Sequence, residues 1–189
     1  MKSNLRITAD FLKIKFFFIF LGLFSFIAIT KASQPINNSL PILNGGDWVK
    51  YFAKPGNVEI YFPVQYDNNF KETSEGKVTT VTAKDGSTDY LLIWTILKDN
   101  APTGYEASKT AMLKFKDAHK GEIKEEDKFK SKKCEGVEAT ILIPSQSLTV
   151  NYKVIIVNKI MYQIAVISPT ATINKKDVSK FMKSFEITN

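Results

Sequence analysis

Cysteine, histidine and arginine are nearly absent from this chain of 189 residues. It has one cysteine, Cys134, one histidine, His119, and a single arginine, Arg6. One cysteine excludes a disulfide within the chain and an all-cysteine metal site, and one histidine excludes a paired-histidine zinc motif. The sequence also lacks a G-x-S-x-G nucleophile motif and a phosphate-binding glycine loop. We therefore predict no catalytic site, no metal and no cofactor.

The first 33 residues have the composition of an export signal. Four of the first fifteen residues are basic, the run Phe16–Ile29 is uncharged and contains six phenylalanines, and small residues follow at Thr30, Ala32 and Ser33. This order is typical of a secretory signal peptide. The run of fourteen residues is too short for roughly 30 Å of hydrocarbon. We predict cleavage after Ala32 or Ser33 and a periplasmic or secreted product, with a retained membrane anchor as the alternative.

The net charge changes when this signal is set apart. Residues 1–33 contain five of the 26 basic residues and one of the 19 acidic residues, so +4 of the formal charge of +7 belongs to them. The remainder carries +3 and has no arginine, which is unlike a nucleic-acid-binding surface. We expect no nucleic-acid partner, and membrane contact only through an uncleaved signal.

The rest of the chain is predicted to form a linker and one domain. Residues 34–46 are largely polar with two prolines and two glycines, typical of a flexible linker, and residues 47–189 are long enough to bury a core. Alternating or β-branched runs between turn residues predict strands joined mainly by hairpins. The predicted strands are Val58–Phe62, Lys77–Thr82, Tyr90–Leu97, Val137–Ile143, Leu148–Val157 and Ile160–Ile167.

Two helices are predicted. Thr103 and Glu106 have the spacing of a capping box, and Gly121 would close the helix that follows. A second helix would begin at Asn174, with an apolar stripe at Val178, Phe181, Met182 and Phe185. Because hairpins imply antiparallel pairing, we predict an α+β domain, an antiparallel sheet flanked by helices.

Several of these segments together resemble a known family. They are the opening Trp48–Phe52, the extended Val58–Pro63, the start Gly136–Glu138 of a strand, Ile160–Ile164 with its internal tyrosine, and the closing Phe181–Phe185. Over residues 47–188 the chain resembles the PsbP-like superfamily, which includes exported bacterial DcrB-type proteins. The resemblance implies an α/β/α sandwich around an antiparallel sheet and no enzymatic activity. Metal sites of the plant relatives use histidines and acids, and His119 has no matching partner, so no metal residue is transferred.

Three features remain as candidate sites. His119, at the end of the first helix, is expected to be favoured as a cation by the helix dipole and to cap carbonyls. Cys134 follows two lysines that could lower the pKa of its thiol, and a His119–Cys134 pair is the catalytic alternative. The charged segment Glu122–Lys133 is interpreted as a solvated edge strand or loop, with a docking patch for an acidic partner or anionic head group as the alternative.

Seven aromatic residues lie between Trp48 and Phe70, and most are expected in the core. We predict a ligand or partner surface at Trp48, Tyr51, Tyr61 and Tyr66. The favoured function is an exported, non-catalytic binding or assembly module of the bacterial cell envelope, whose partner is an envelope protein or a small ligand. A small-molecule or lipid carrier with an apolar pocket near Trp48–Phe70 is the alternative, and a thiol or hydrolytic enzyme is a third hypothesis.

Overall fold

The computed structural model describes residues 48–73, 76–99 and 101–188; the predicted signal peptide and linker lie outside these ranges. The described residues form ten strands and two α-helices. In chain order the elements are β1 (Val49–Ala53), β2 (Val58–Phe62), β3 (Asp67–Thr73), β4 (Gly76–Asp85), β5 (Thr88–Leu97), α1 (Gly104–Ala118), β6 (Glu122–Lys130), β7 (Glu135–Ile143), β8 (Leu148–Val157), β9 (Ile160–Pro169), α2 (Lys175–Ser184) and β10 (Glu186–Ile187).

The strands form two antiparallel sheets. The large sheet has seven strands in the order β3-β4-β5-β9-β8-β7-β6, and the small sheet has three in the order β1-β2-β10. Helix α1 packs on β6, β7 and β8, whereas α2 packs on β2 and β9. The large sheet therefore has α1 on one face and the small sheet with α2 on the other. This is the α+β architecture that the sequence predicted, with the small sheet as an addition.

The main core lies between the large sheet, the small sheet and α2. Phe181 of α2 is fully buried, with its ring centroid 5.2 Å from those of Phe62 and Tyr90. Every residue of β9 from Ile160 to Ser168 is buried, because this central strand is covered on both faces. Between β8 and β9, Asn158 and Lys159 have φ values of 50° and 63°, the positive values that a two-residue hairpin turn requires.

The capping box predicted at the start of α1 is wrong, because the expected side-chain hydrogen bond of Thr103 does not form. Thr103 is the N-cap residue, but its side chain makes no capping hydrogen bond. Instead, the amide of Tyr105 donates to Oε1 of Glu135 on β7, at 3.3 Å. Lys128, 2.8 Å from the same carboxylate, and this amide hold the pKa of Glu135 below its usual value. The first turn of α1 is thus capped by a neighbouring strand.

Helix α1 ends near the predicted glycine, but the left-handed residue is Lys120, with φ 52°. The amide of Gly121 donates to the carbonyl of Lys116 at 2.8 Å, and the amide of Lys120 donates to that of Asp117 at 3.1 Å, which is a Schellman motif. Gly121 is required for another reason, since a Cβ there would lie 2.6 Å from Cγ2 of Ile141. At α2 the prediction is confirmed, because Asn174 caps the amides of Lys176 and Asp177.

Candidate functional site

The four aromatic residues predicted as a surface do not lie together. Tyr51 is only 4% exposed; its hydroxyl accepts a hydrogen bond from Nε1 of Trp94 at 3.2 Å, so this side chain belongs to the core. Tyr66 packs edge-on against Tyr51 at 5.4 Å between centroids. Trp48 lies against Tyr90 instead, with the Lys180 ammonium 4.3 Å from its ring.

Tyr61 points away from this cluster. Its neighbours Ile60 and Phe62 are fully buried, and alternation along β2 places Tyr61 on the outer face of the small sheet. There the Lys50 ammonium lies 5.9 Å from its ring. Tyr51 is therefore a core residue, whereas Tyr66, which packs on it, and Tyr61, on the outer face, are both half-buried; a ligand role for any of the four stays a prediction.

A crevice lies between the β6–β7 turn and β10. One cavity of about 240 Å³ is lined by Phe129, the turn Ser131–Cys134 and Phe185–Ile187. A second, of about 420 Å³, adjoins it and also borders the β8–β9 turn. Lys133 and Ile187 line both cavities, and the Lys133 ammonium donates to the Ile187 carbonyl at 2.9 Å. The crevice thus has an apolar floor, a thiol and a partly basic rim.

Ser131 organises the turn that carries Cys134. Its Oγ accepts from the amides of Lys133 and Cys134, both at 3.2 Å, and its own amide donates to the Cys134 carbonyl at 2.8 Å. The Cys134 sulfur, half-buried, lies 3.3 Å from the same Oγ. This geometry fixes the thiol at the crevice wall but supplies no imidazole beside it.

The structure does not assemble the His119–Cys134 pair. Cys134 precedes the glutamate that contacts the start of α1, whereas His119 follows the end of that helix. Fifteen helical residues span about 22 Å, so the two side chains are far apart. Burial also lowers the pKa of His119, against the expected cation favoured by the helix dipole. Within the described ranges, no three His, Cys, Asp or Glu residues are placed to bind a metal ion.

The edge strands differ in their protection. Strand β6, at one edge of the large sheet, has charged residues at seven of nine positions, and is the predicted solvated edge strand. Strand β3, at the other edge, has three in seven, and its Phe70 is 64% exposed. Phe52 on β1, one of the two edge strands of the small sheet, is 51% exposed. Since charge on an edge strand discourages pairing, β3 is the more open edge.

Sequence analysis did not identify two residues that are informative in the structure, Lys153 and Phe70. Lys153 lies in the apolar run of β8 and is 3% exposed; its ammonium donates to the Met182 carbonyl and pairs with Glu138, both at 2.8 Å. Its signal was a lone charge in the apolar strand LTVNYKVIIV. Phe70 lies in the polar strand DNNFKET, where one aromatic among polar neighbours was the only signal.

Comparison with known proteins identifies the fold of this chain. No family model matches the chain, and no curated protein matches it. The architecture is that of an α+β sandwich of the PsbP-like class. The solution structure of cyanobacterial PsbP (CyanoP) from Synechocystis sp. PCC 6803 is similar, with a TM-score of 0.55 at 10% identity, over 82% of this chain and 99% of that one. The fold is therefore PsbP-like, as the sequence resemblance predicted; the DcrB-type subgroup stays a prediction.

A second solved structure is less similar. A crystal structure from Bacteroides thetaiotaomicron VPI-5482 matches over 74% of this chain and 48% of its own, with a TM-score of 0.40 and 14% identity. At that similarity it supports no argument about this chain. In the part of the chain that the structure describes, no helix is long and apolar enough to cross a membrane.

Proposed function

We propose that this chain is exported and acts as a non-catalytic binding or assembly module of the bacterial cell envelope. The predicted signal peptide supports export, and the PsbP-like fold supports a compact module. The observation that carries the proposal is the open edge β3, where Phe70 is 64% exposed. A partner protein adds an extended segment to this edge, and Phe70 anchors it.

Backbone pairing and one aromatic anchor are a common way to bind a peptide segment. An edge strand presents unpaired amide and carbonyl groups along its outer side, and an added strand satisfies them. Asp67, Lys71 and Glu72 give β3 a mixed charge that does not repel a partner of one sign. At the opposite edge, the dense charges of β6 discourage the same pairing. We therefore expect a partner strand to pair with β3 and not with β6.

Photo-crosslinking in the native envelope tests this proposal. A benzophenone amino acid replaces Phe70 in one variant and Lys124 of β6 in a matched control. We expect one discrete crosslinked protein from position 70, none from position 124, and loss of that product when Asn68→Pro removes an amide donor from the outer side of β3, because the pairing register directs the Asn68 amide away from β4. Equal labelling from both edges, or no product from position 70, contradicts the proposal.

A carrier function is the second candidate, and the crevice beside Cys134 favours it. Its two cavities, of about 240 and 420 Å³, could accommodate a small apolar molecule with an anionic group near Lys133. They are lined by residues other than the predicted aromatics of Trp48–Phe70, which pack largely on one another. Native mass spectrometry of the purified chain tests the carrier: a bound mass lost in Ile187→Trp supports it, and an unliganded chain from envelope extracts contradicts it.

A further inference from the structure

The backbone groups of the edge strand β3 alternate between its neighbour β4 and the outer side of the sheet. The β3–β4 hairpin closes at Thr73 opposite Gly76, with two residues between them. The closing pair of such a hairpin exchanges both backbone hydrogen bonds, and each second residue then directs its amide and carbonyl the other way. Asn68, Phe70 and Glu72 therefore direct these groups outward, where no described strand pairs with them.

The exposed aromatic surface of the described chain lies at this side. Phe70 and Phe52 are 64% and 51% exposed, and both lie on edge strands. The two edges adjoin, because Tyr66, directly before β3, packs on Tyr51 of β1 with 5.4 Å between the ring centroids. Apolar exposure that is concentrated on one side of a domain is typical of a surface that meets another protein.

We propose that a second copy of this chain pairs with β3 while the envelope partner is absent, so that two large sheets join across a two-fold axis. This inference rests on the proposed function, since both use the outer side of β3. A two-fold dimer brings the same surface of both copies together. Because outward residues alternate, hydrogen-bonded pairs join outward residues of both copies when the axis passes through one residue position. The charges of β3 then select that position.

The register centred on Asn69 pairs opposite charges. In this register Asp67 of each copy faces Lys71 of the other, which gives two ion pairs. Both pairs occupy non-hydrogen-bonded sites, where facing Cα atoms are only about 4.5 Å apart. Neither side chain forms an ion pair with another described residue, so both charges are available. Moving the axis by one residue toward either end of the strand removes both pairs, so the charges favour this register.

The same register brings the two Phe70 rings together. Phe70 faces Asn68 of the second copy, and its diagonal neighbour there is the second Phe70. Diagonal positions about 7–8 Å apart are within reach of aromatic side chains. The second copy therefore covers the exposed ring of β3. Because a strand of seven residues is small beside the interface of a stable dimer, the dimer is reversible and the envelope partner can replace the second copy.

Charge exchange followed by sedimentation velocity tests the ion pairs on the purified chain. Asp67→Lys places lysines opposite each other at both sites, and Lys71→Asp places aspartates there. We expect each single variant to weaken dimerisation about tenfold or more, and the combined Asp67→Lys/Lys71→Asp variant to return it to within about threefold of the parent, because the pairs are restored in reverse. Glu72→Lys is the matched control; this position faces no charged residue in the register, so dimerisation should stay at the parent value.

Disulfide formation tests the register itself. In a Cys134→Ser background, Asn69→Cys places two thiols at the two-fold axis, with about 4.5 Å between their Cα atoms, a distance that a disulfide can bridge. Glu72→Cys is the control, because its two copies are offset by six residues, about 20 Å along the strands. We expect mild oxidation to link Asn69→Cys chains as dimers and to leave Glu72→Cys chains unlinked. Equal linking of both variants, or no linking of Asn69→Cys, overturns the register.

Two results overturn the inference as a whole. One is a parent chain that stays monomeric up to about 1 mM, and the other is a pair of single charge variants that dimerise like the parent. Neither result touches the proposed function, because crosslinking from position 70 to a different envelope protein is measured separately. Conversely, a dimer of the purified chain without any envelope protein crosslinked from position 70 refutes the proposed function and leaves the self-pairing intact.

Discussion

Replacing Lys153 tests whether a buried ammonium joins α2 to the large sheet. Lys153 is 3% exposed, and its Nζ donates to the Met182 carbonyl in the last turn of α2 at 2.8 Å. The same atom lies 2.8 Å from Glu138 and 4.4 Å from the centroid of the Phe129 ring. A cation at the C-terminal end of a helix is favourable, and here it also links the helix to β8.

The expected magnitudes follow from what each change leaves behind. Lys153→Met keeps the length of the side chain but removes charged hydrogen bonds, each about 1.5–3 kcal/mol. It also removes the penalty of burying an ammonium, so we expect a net loss of only about 1 kcal/mol. Glu138→Gln leaves the ammonium buried without its counter-ion. Because Glu138 is 40% exposed, we expect a loss of about 2 kcal/mol, below that of a fully buried pair.

Urea unfolding followed by tryptophan fluorescence measures these losses, since Trp48 and Trp94 both pack against the main core. The decisive comparison is between the double variant Lys153→Met/Glu138→Gln and Glu138→Gln alone. The double variant should be the more stable of the two because it no longer contains the unpaired ammonium. Glu125→Gln, an exposed glutamate of β6, is the matched control and should change stability by less than about 0.5 kcal/mol. If Glu138→Gln behaves like this control, the ion pair contributes nothing and the reasoning fails.

Four further predictions concern the core and the titrating groups. Phe181→Ala should cost about 3–5 kcal/mol in the same assay, because its ring is fully buried; a loss below 1 kcal/mol would mean that α2 is not docked. Thr103→Ala should cost less than about 0.5 kcal/mol, since its side chain caps nothing, and a loss near the usual cap value would restore the capping box. Burial raises the pKa values of Tyr90 and Tyr162 to about 12, so ultraviolet titration should show both phenols neutral well above pH 10. The stability that these two phenols contribute is complete below the unfolded pKa of 10 and is lost as pH rises through about 12. NMR titration of His119 should give a pKa below 6.5, so its stabilising contribution is present above that pH and lost as pH falls; a value above 6.5 would favour the dipole instead.

The interior of the fold was predictable because burial imposes a pattern. Strands β2 and β8 have the bounds that the sequence predicts, Val58–Phe62 and Leu148–Val157. Both are apolar segments that end at turn residues, and a strand covered by neighbours must be apolar where it is covered. The stripe of α2 follows from the same cause at helical spacing. In each case the apolar pattern within one element indicates which of its residues are buried.

Contacts between distant segments were not predictable in this way. The spacing of Thr103 and Glu106 predicted a local cap, yet the acceptor for the first turn of α1 comes from Glu135, 30 residues away. Similarly, Lys153 looks like an interruption of a strand until α2 presents the Met182 carbonyl to it. A side chain that is satisfied by a remote partner leaves no periodic signal in the sequence.

The same reasoning explains why the proposed binding edge escaped sequence analysis. An edge strand has one unpaired side, and where no layer covers it, it needs no apolar alternation; β3 is a polar segment of seven residues for this reason. Hydrophobic patterns therefore detect the strands that build the core and miss those that remain free to pair with a partner. On this view a single exposed aromatic in a polar strand, such as Phe70, is more informative about binding than the aromatic cluster around Tyr51. Burial assigns that cluster to packing, whereas nothing in the described core requires a phenyl ring at an open edge.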